Sequence, residues 1–247
     1  MAEALLEVRA LRKAFGALQD TDGVDIDVRE GETHAVIGPN GAGKTTLIGQ
    51  LSGMLHPDSG RIRFAGEDIT GLPAPARARK GLARSFQITS IYGEFSALDN
   101  VALAVQAHAG HSFRFWRPAR KEEALRAPAR RILEEVGLGA RAEVIAATLA
   151  HGEQRQLEIA MALATSPRLL LLYEPVAGMG IEESQRMIGF LSTLKGGTTI
   201  ILVEHDMDAV FTLADRISVL VYGRIIATGA PREIRANPEV QRAYLGT

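Results

Sequence analysis

The stretch Gly38-Pro39-Asn40-Gly41-Ala42-Gly43-Lys44-Thr45-Thr46 carries the densest chemistry in this chain. It fits the phosphate-cradling pattern G-x-x-x-x-G-K-[ST] at every fixed position. Gly38, Gly41 and Gly43 allow backbone conformations and close approaches that a Cβ would obstruct. Their N–H groups, and the start of the helix that follows, then point at anionic oxygens. Lys44 places a point charge against β- and γ-phosphates, and Thr45 offers a hydroxyl to Mg²⁺. The competing reading is a plain Gly-rich turn before a helix, but a chance match arises in only roughly a few per thousand such chains. The stretch implies a nucleoside triphosphate.

Other candidates take their interest from position. Four leucines at 169–172 read as a fully buried strand that ends in Tyr173-Glu174-Pro175. A β-branched run at 198–203 ends in Glu204-His205-Asp206. Ligand groups in α/β sheets sit at the carboxyl ends of strands, which is where Glu174, His205 and the phosphate loop all fall. Phe15 lies one hairpin upstream of the loop and could stack on a base; an ordinary core phenylalanine is the alternative. Gln87, after a short apolar segment, gains meaning only from its company.

The elements that must position these groups follow from periodicity. Residues 5–31 alternate in places, as at Val24, Ile26 and Val28, which predicts antiparallel strands with one wet face. The spacing predicts a strand entering the phosphate loop over 33–37 and a helix leaving it over 46–51. Residues 71–80 read as a loop entering a short helix. Ala124, Leu125, Ile132, Leu133 and Val136 have helical spacing, as do Leu157, Ala160, Met161, Leu163 and Ala164. Residues 217–221 and 224–227 predict a hairpin, and 238–245 a terminal helix. Buried parallel strands separated by helices make the fold α/β, with helices on both faces of the sheet. Between 108 and 118 aromatics cluster among basic residues and hold the chain's one Trp. That cluster reads equally as a partner surface or a small satellite core.

Composition narrows the classes. A 247-residue chain with net charge −1 has no electrostatic footprint for nucleic acid, and without cysteine it has neither disulfides nor thiolate metal sites. Its start lacks a basic, apolar leader, and no apolar run approaches the roughly 18 residues needed to span a bilayer. The expectation is a cytoplasmic protein.

With Lys44, Gln87, Leu149-Ala150-His151-Gly152-Glu153-Gln154, Glu174 and His205 in this order, the chain resembles the ATP-binding subunits of ABC transporters over essentially its whole length. Ala-Arg-Ser-Phe-Gln at 83–87, Leu-Glu-Ile-Ala at 157–160, Pro-Val-Ala-Gly-Met at 175–179 and the tail Asn-Pro-Glu-Val-Gln-Arg-Ala-Tyr-Leu-Gly look like the larger ATPase of branched-chain amino acid importers. Importers of urea and short amides are similar. The resemblance implies a single P-loop NTPase (RecA-like) domain over 1–247. Its ATP-binding core and N-terminal antiparallel β subdomain would span 1–87 and 155–247, with an inserted α-helical subdomain at 88–154. It implies ATP and Mg²⁺ as cofactors and ATP hydrolysis as the activity. Phe15 would stack on adenine, and Gly38, Pro39, Asn40, Gly41, Ala42, Gly43, Lys44, Thr45 and Thr46 would hold the phosphates. Thr45 and Gln87 would hold the metal. Leu149, Ala150, His151, Gly152 and Glu153 would touch the ATP of the opposite subunit. Glu174 would be the general base and His205 would hold the γ-phosphate. The implied partners are a second ATPase subunit, two membrane-spanning permease subunits and, indirectly, an extracytoplasmic solute-binding protein, with no nucleic acid. The protein would sit on the inner face of the cell membrane.

Three positions depart from the family pattern. Ala150 and His151 replace the common Ser and Gly, a variant familiar in this branch. The loop after Glu174 ends in Met179-Gly180 without the usual Asp or Asn. Most consequential, Tyr173 stands where an Asp usually orders the metal's water shell, and a neutral phenol cannot supply that charge. The leading reading is therefore a transport ATPase whose turnover Tyr173 lowers. The alternative is a nucleotide-binding regulatory or scaffold subunit with little turnover. A DNA-repair or translation ABC ATPase would need tandem ATP domains or long coiled coils, and a GTPase an Asn-Lys-x-Asp motif; the chain has none of these.

Overall fold

The computed structural model describes residues 4–85, 91–109 and 122–245. The chain opens with β1 (Ala4–Phe15) and β2 (Leu18–Arg29), an antiparallel hairpin whose turn includes Gly16 at φ 60°. Along β2, Val24, Ile26 and Val28 are buried while Asp25 between them is exposed, which is the period-two pattern of a half-buried strand. With β4 (Ser59–Phe64) and β5 (Glu67–Asp68) they form a four-stranded sheet, in the order β2-β1-β4-β5.

The second sheet holds β3 (Thr33–Ile37), β6 (Leu82–Arg84), β7 (Leu169–Tyr173), β8 (Thr199–Val203), β9 (Arg216–Val221) and β10 (Arg224–Gly229). Their spatial order is β10-β9-β3-β8-β7-β6; all pairs are parallel except β10 with β9. Every residue of β3, β7 and β8 is buried, because both faces are covered. Alternate residues of β7 sort the two cores. Leu169, Leu171 and Tyr173 join Leu47, Ile48 and Leu51 of helix α1 (Lys44–Ser52) and the inner face of the four-stranded sheet. Leu170 and Leu172 join Leu157 and Ile159 of α5 (His151–Leu163) and Met187 and Leu191 of α6 (Ile181–Thr193).

Helices α3 (Ala97–Ala109) and α4 (Glu123–Glu135) pack beside α5. In α4 the buried stripe is Leu125, Ala129 and Leu133, with Val136 just beyond; Ala124, expected inside, is exposed because it lies off that stripe. α2 (Ala74–Arg79) precedes β6, α7 (Met207–Leu213) follows β8, and α8 (Pro231–Ala236) follows β10. The expected terminal helix is broken into α9 (Pro238–Val240), capped by Asn237, and a wider helical turn at Gln241–Leu245.

A buried polar cluster locks the amino end of the parallel sheet. Glu32, 8% exposed, receives Arg216 Nε at 2.7 Å, its carboxylate bonds the Arg29 N–H, and His34 Nδ1 stands 3.5 Å away. Burial alone would raise the Glu32 carboxyl; hydrogen bonds from His34, the Arg29 N–H and Arg216 outweigh it and hold the group at about 2, below its ordinary 4.5. A carboxyl depressed in the folded state stabilises fully above its unfolded value and loses that contribution as pH falls toward the folded one. Glu32→Gln should therefore be less stable than the parent near neutrality, and the gap should close between about pH 4.5 and about pH 2. Urea unfolding of both proteins across that range checks this; a gap independent of pH would exclude the charged carboxylate as its source.

Candidate active site

β3 delivers the chain into the phosphate loop, and its neighbours fix two of the loop's glycines. A Cβ on Gly38 would stand 2.0 Å from the Leu220 carbonyl oxygen, and one on Gly43, at φ 101°, 2.0 Å from that of Asp20. Only glycine lets this backbone run between β9 and β2. α1 begins at Lys44 with no side-chain cap and no acidic residue in its first turn. Its first amides have no intrahelical partner, and the positive end of its dipole carries no anion of its own, so it favours a phosphate.

Lys44 is 5% exposed, and its ammonium donates to the Gly38 and Pro39 carbonyls at 2.6 and 2.9 Å. Burial lowers its pKa, and the Glu174 carboxylate pulls the other way. The β1–β2 hairpin is tied to α1 by Thr46 to Asp20, Thr21 to Gln50 at 3.1 Å, and Gln50 to the Arg12 carbonyl at 3.2 Å. Phe15, half exposed at the end of that hairpin, has the Lys13 ammonium 5.7 Å from its ring centroid.

β7, β8 and β3 are neighbours in the sheet, so Tyr173, Glu174 and His205 emerge beside the loop. Glu174 adopts φ 48°, a left-handed conformation unusual for a residue with a Cβ, and donates its N–H to Val203 O at 2.7 Å. Its Oε1 stands 2.5 Å from His205 Nε2. The Tyr173 hydroxyl lies 2.7 Å from Thr45 Oγ1, so the hydroxyl expected at the metal is engaged with the phenol. Burial raises the Tyr173 pKa, keeping the ring neutral.

Residues 149–153 are placed differently. Glu153 accepts the Ala150 N–H at 2.9 Å and pairs with Arg141 at 3.1 Å, fixing the start of α5. A Cβ on Gly152 would meet the Glu183 carboxylate carbon at 3.4 Å, so this stretch packs toward α6. Two residues on, Arg155 reaches the Glu174 carbonyl at 3.5 Å. Leu149 and Gly152 are buried, while Ala150 and His151 are exposed. Gln87 lies outside the described residues, as does the 108–118 cluster from residue 110 onward.

Sequence reasoning missed four residues that support the site. Glu204, 2% exposed, accepts the N–H groups of Val176 and His205 at 2.9 Å each, joining the loop after β7 to the end of β8. Burial raises its pKa against those hydrogen bonds. Its position directly after a fully buried strand was the available signal. Asp20 bonds the loop's Thr46 across 26 positions. Arg155 and Glu158 form a buried pair at 2.7 Å on α5, hidden because helical spacing made that face look solvated.

Comparison with known proteins gives the family and the fold. A family profile described as ABC transporter matches residues 21–177, and one described as branched-chain amino acid ATP-binding cassette transporter matches 224–247. The chain is 41% identical to the high-affinity branched-chain amino acid transport ATP-binding protein BraF of Pseudomonas aeruginosa, covering 100% of this chain and 99% of the relative. To LivG of Salmonella typhimurium, described in the same words, it is 39% identical over 100% and 99%. A crystal structure of an ATP-binding cassette of an ABC transporter in its ADP conformation superposes with a TM-score of 0.86 at 30% identity, over the full length of both chains.

Proposed function

The chain belongs to the ABC transporter family as an ATP-hydrolysing subunit, and from that membership we propose that it powers uptake of branched-chain amino acids or a related small polar solute. The relatives lend nothing to the regulatory or scaffold alternative. One observation carries the reading: Glu174 and His205, 2.5 Å apart, stand at the ends of β7 and β8 beside the phosphate loop that ends β3.

The proposed chemistry uses those groups directly. The loop amides, the start of α1 and Lys44 hold the β- and γ-phosphates and oppose the charge that builds on them. Phe15 stacks on the base. Glu174 accepts a proton from the attacking water as its oxygen bonds the γ-phosphorus, and the bond to the β–γ bridging oxygen breaks, releasing ADP. His205 orients the Glu174 carboxylate and holds a γ-phosphate oxygen. Magnesium, held in the usual site by a loop hydroxyl and an acidic strand end, does not find that pair here: Thr45 is bonded to Tyr173, and Glu174 is paired with His205.

Residues 149–153 are exposed in part at the start of α5, which supports their use against the ATP of a second ATPase subunit. Gln87 would sense the permease. No helix among the described residues is long and apolar enough to cross a membrane. The relatives are transport ATP-binding proteins, which supports coupling through membrane-spanning partners. A mostly apolar groove of about 380 Å³, lined by Met54, Pro75, Leu82, Ala104 and Met161 beside Ser85, supports a docking place for the permease.

Lys44→Ala tests the site. It removes a charge-assisted phosphate contact of about 1.5–3 kcal/mol, so ATP affinity should fall roughly 10- to 100-fold in a fluorescent-nucleotide titration. Unchanged affinity would remove the loop from the phosphate site.

A further inference from the structure

Tyr173 is the one buried phenol beside the phosphate loop among the described residues, and its surroundings fix it firmly. The residue is 5% exposed, packed in the core with Val36, Leu171 and Val203. Its backbone N–H reaches Ser85 Oγ at 3.3 Å, and its hydroxyl lies 2.7 Å from Thr45 Oγ1. Mg²⁺ demands oxygen ligands at about 2.0–2.1 Å in near-octahedral array, commonly one or two of them carboxylates. With the phenol oxygen in place, an ion on Thr45 would have to share that small space with a neutral, weakly ligating group. Glu174, the other oxygen donor beside Tyr173, faces His205 at 2.5 Å.

Charge gives the same answer by a second route. A carboxylate at position 173 would lie close to the γ-phosphate of a bound nucleotide and repel it unless a divalent cation stood between them. A neutral phenol removes that repulsion. It also brings an O–H donor, oriented toward the loop by Thr45, that can turn to a phosphate oxygen. Loss of metal affinity and gain of metal-free nucleotide affinity therefore act together.

We propose that the Tyr173 hydroxyl takes over at Thr45 the place of a divalent cation, so that this chain binds ATP almost equally well with and without Mg²⁺. The proposal rests on the loop being an ATP site, and it makes Tyr173 a positioning residue for the phosphates. It concerns binding and is separate from the rate of hydrolysis.

The test is ATP affinity, measured by equilibrium titration of the full chain in excess Mg²⁺ and in excess EDTA, with thermal melting to confirm folding. For the parent, the two dissociation constants should agree within about threefold, whereas Tyr173→Asp should bind metal-free ATP at least about tenfold more weakly than Mg-ATP. Tyr173→Phe keeps the ring and its packing but loses the O–H; its metal-free affinity should fall about tenfold, the measure of a hydrogen bond to a charged group. A parent that needs Mg²⁺ as strongly as Tyr173→Asp overturns the proposal. So does a Tyr173→Phe variant that binds metal-free ATP like the parent. Absence of ATP binding under both conditions would overturn the ATP-site reading as well, which separates the two failures.

Discussion

Glu174→Gln should keep ATP bound and stop its hydrolysis. The residue is placed by backbone and side chain together: φ 48° turns it back over the sheet edge, its N–H bonds Val203 O at 2.7 Å, and its Oε1 meets His205 Nε2 at 2.5 Å. Glutamine has the same shape, and its amide oxygen can still accept from His205, so the site should stay assembled. What is lost is the lone pair basic enough to take the proton of the attacking water. A positioned general base contributes about 10²–10⁴ in rate, and steady-state phosphate release should fall by that factor. The dissociation constant for ATP should change by less than about threefold, because Lys44, the loop amides and α1 make the phosphate contacts. With ATP no longer consumed, the proposed dimer in which residues 149–153 cover the partner's nucleotide should persist, and light scattering after gel filtration would detect it. Hydrolysis at the parental rate would exclude Glu174 as the base. A fall in rate matched by an equal fall in affinity would point instead to a broken site.

The parts of this arrangement that could be read from sequence are those in which local pattern and function coincide. The phosphate loop is contiguous, and its strand and helix carry their periods on either side. Glu174 and His205 were visible because each lies within two residues of a short run of Leu, Ile and Val, and such runs with helical patterns between them read as buried parallel strands. What was hidden depends on contacts across the chain. Tyr173 was noticeable as a departure, but its bond to Thr45 joins residues 128 positions apart and could not be inferred from either. The Glu32–Arg216 contact spans 184 positions, so neither partner looks special in its own segment. Arg155 and Glu158 drew no notice because α5 is buried on most of its surface, whereas charged residues three apart on a helix give no sign in sequence of being buried. Arg77 was invisible for the same reason: arginine is almost never fully buried, and a short Pro- and Ala-rich segment gives no hint that its cation points inward.

Arg77→Met should be strongly destabilising although it lies outside the nucleotide site. The side chain is 1% exposed and spends its guanidinium on backbone carbonyls: Gln50 and Leu51 at 2.6 and 2.8 Å, Leu72 and Thr70 at 2.9 Å each. Two of these belong to the last turn of α1, where the dipole is negative and Gln50 O also accepts the Gly53 N–H at 3.3 Å, so a cation is favoured there. Burial lowers the Arg77 pKa to about 10, which still leaves it charged near neutrality. Methionine fills much of the volume but donates nothing, stranding buried acceptors at about 1–3 kcal/mol each. Relief from burying the charge offsets part of that, and a net loss of about 3 kcal/mol follows. In a chain of this size the melting temperature should drop by about 6–12 °C. Arg77→Lys separates charge from geometry: its ammonium can serve one or two of the carbonyls but not the spread fork, so it should fall between parent and Met. Because Arg77 clamps the end of α1 opposite the phosphates, the folded fraction of either variant should bind ATP with parental affinity. Saturating ATP should then recover stability by mass action, raising the melting temperature of parent and variant alike. If Arg77→Met melts within about 2 °C of the parent, the carbonyl cage is not what holds α1 in place.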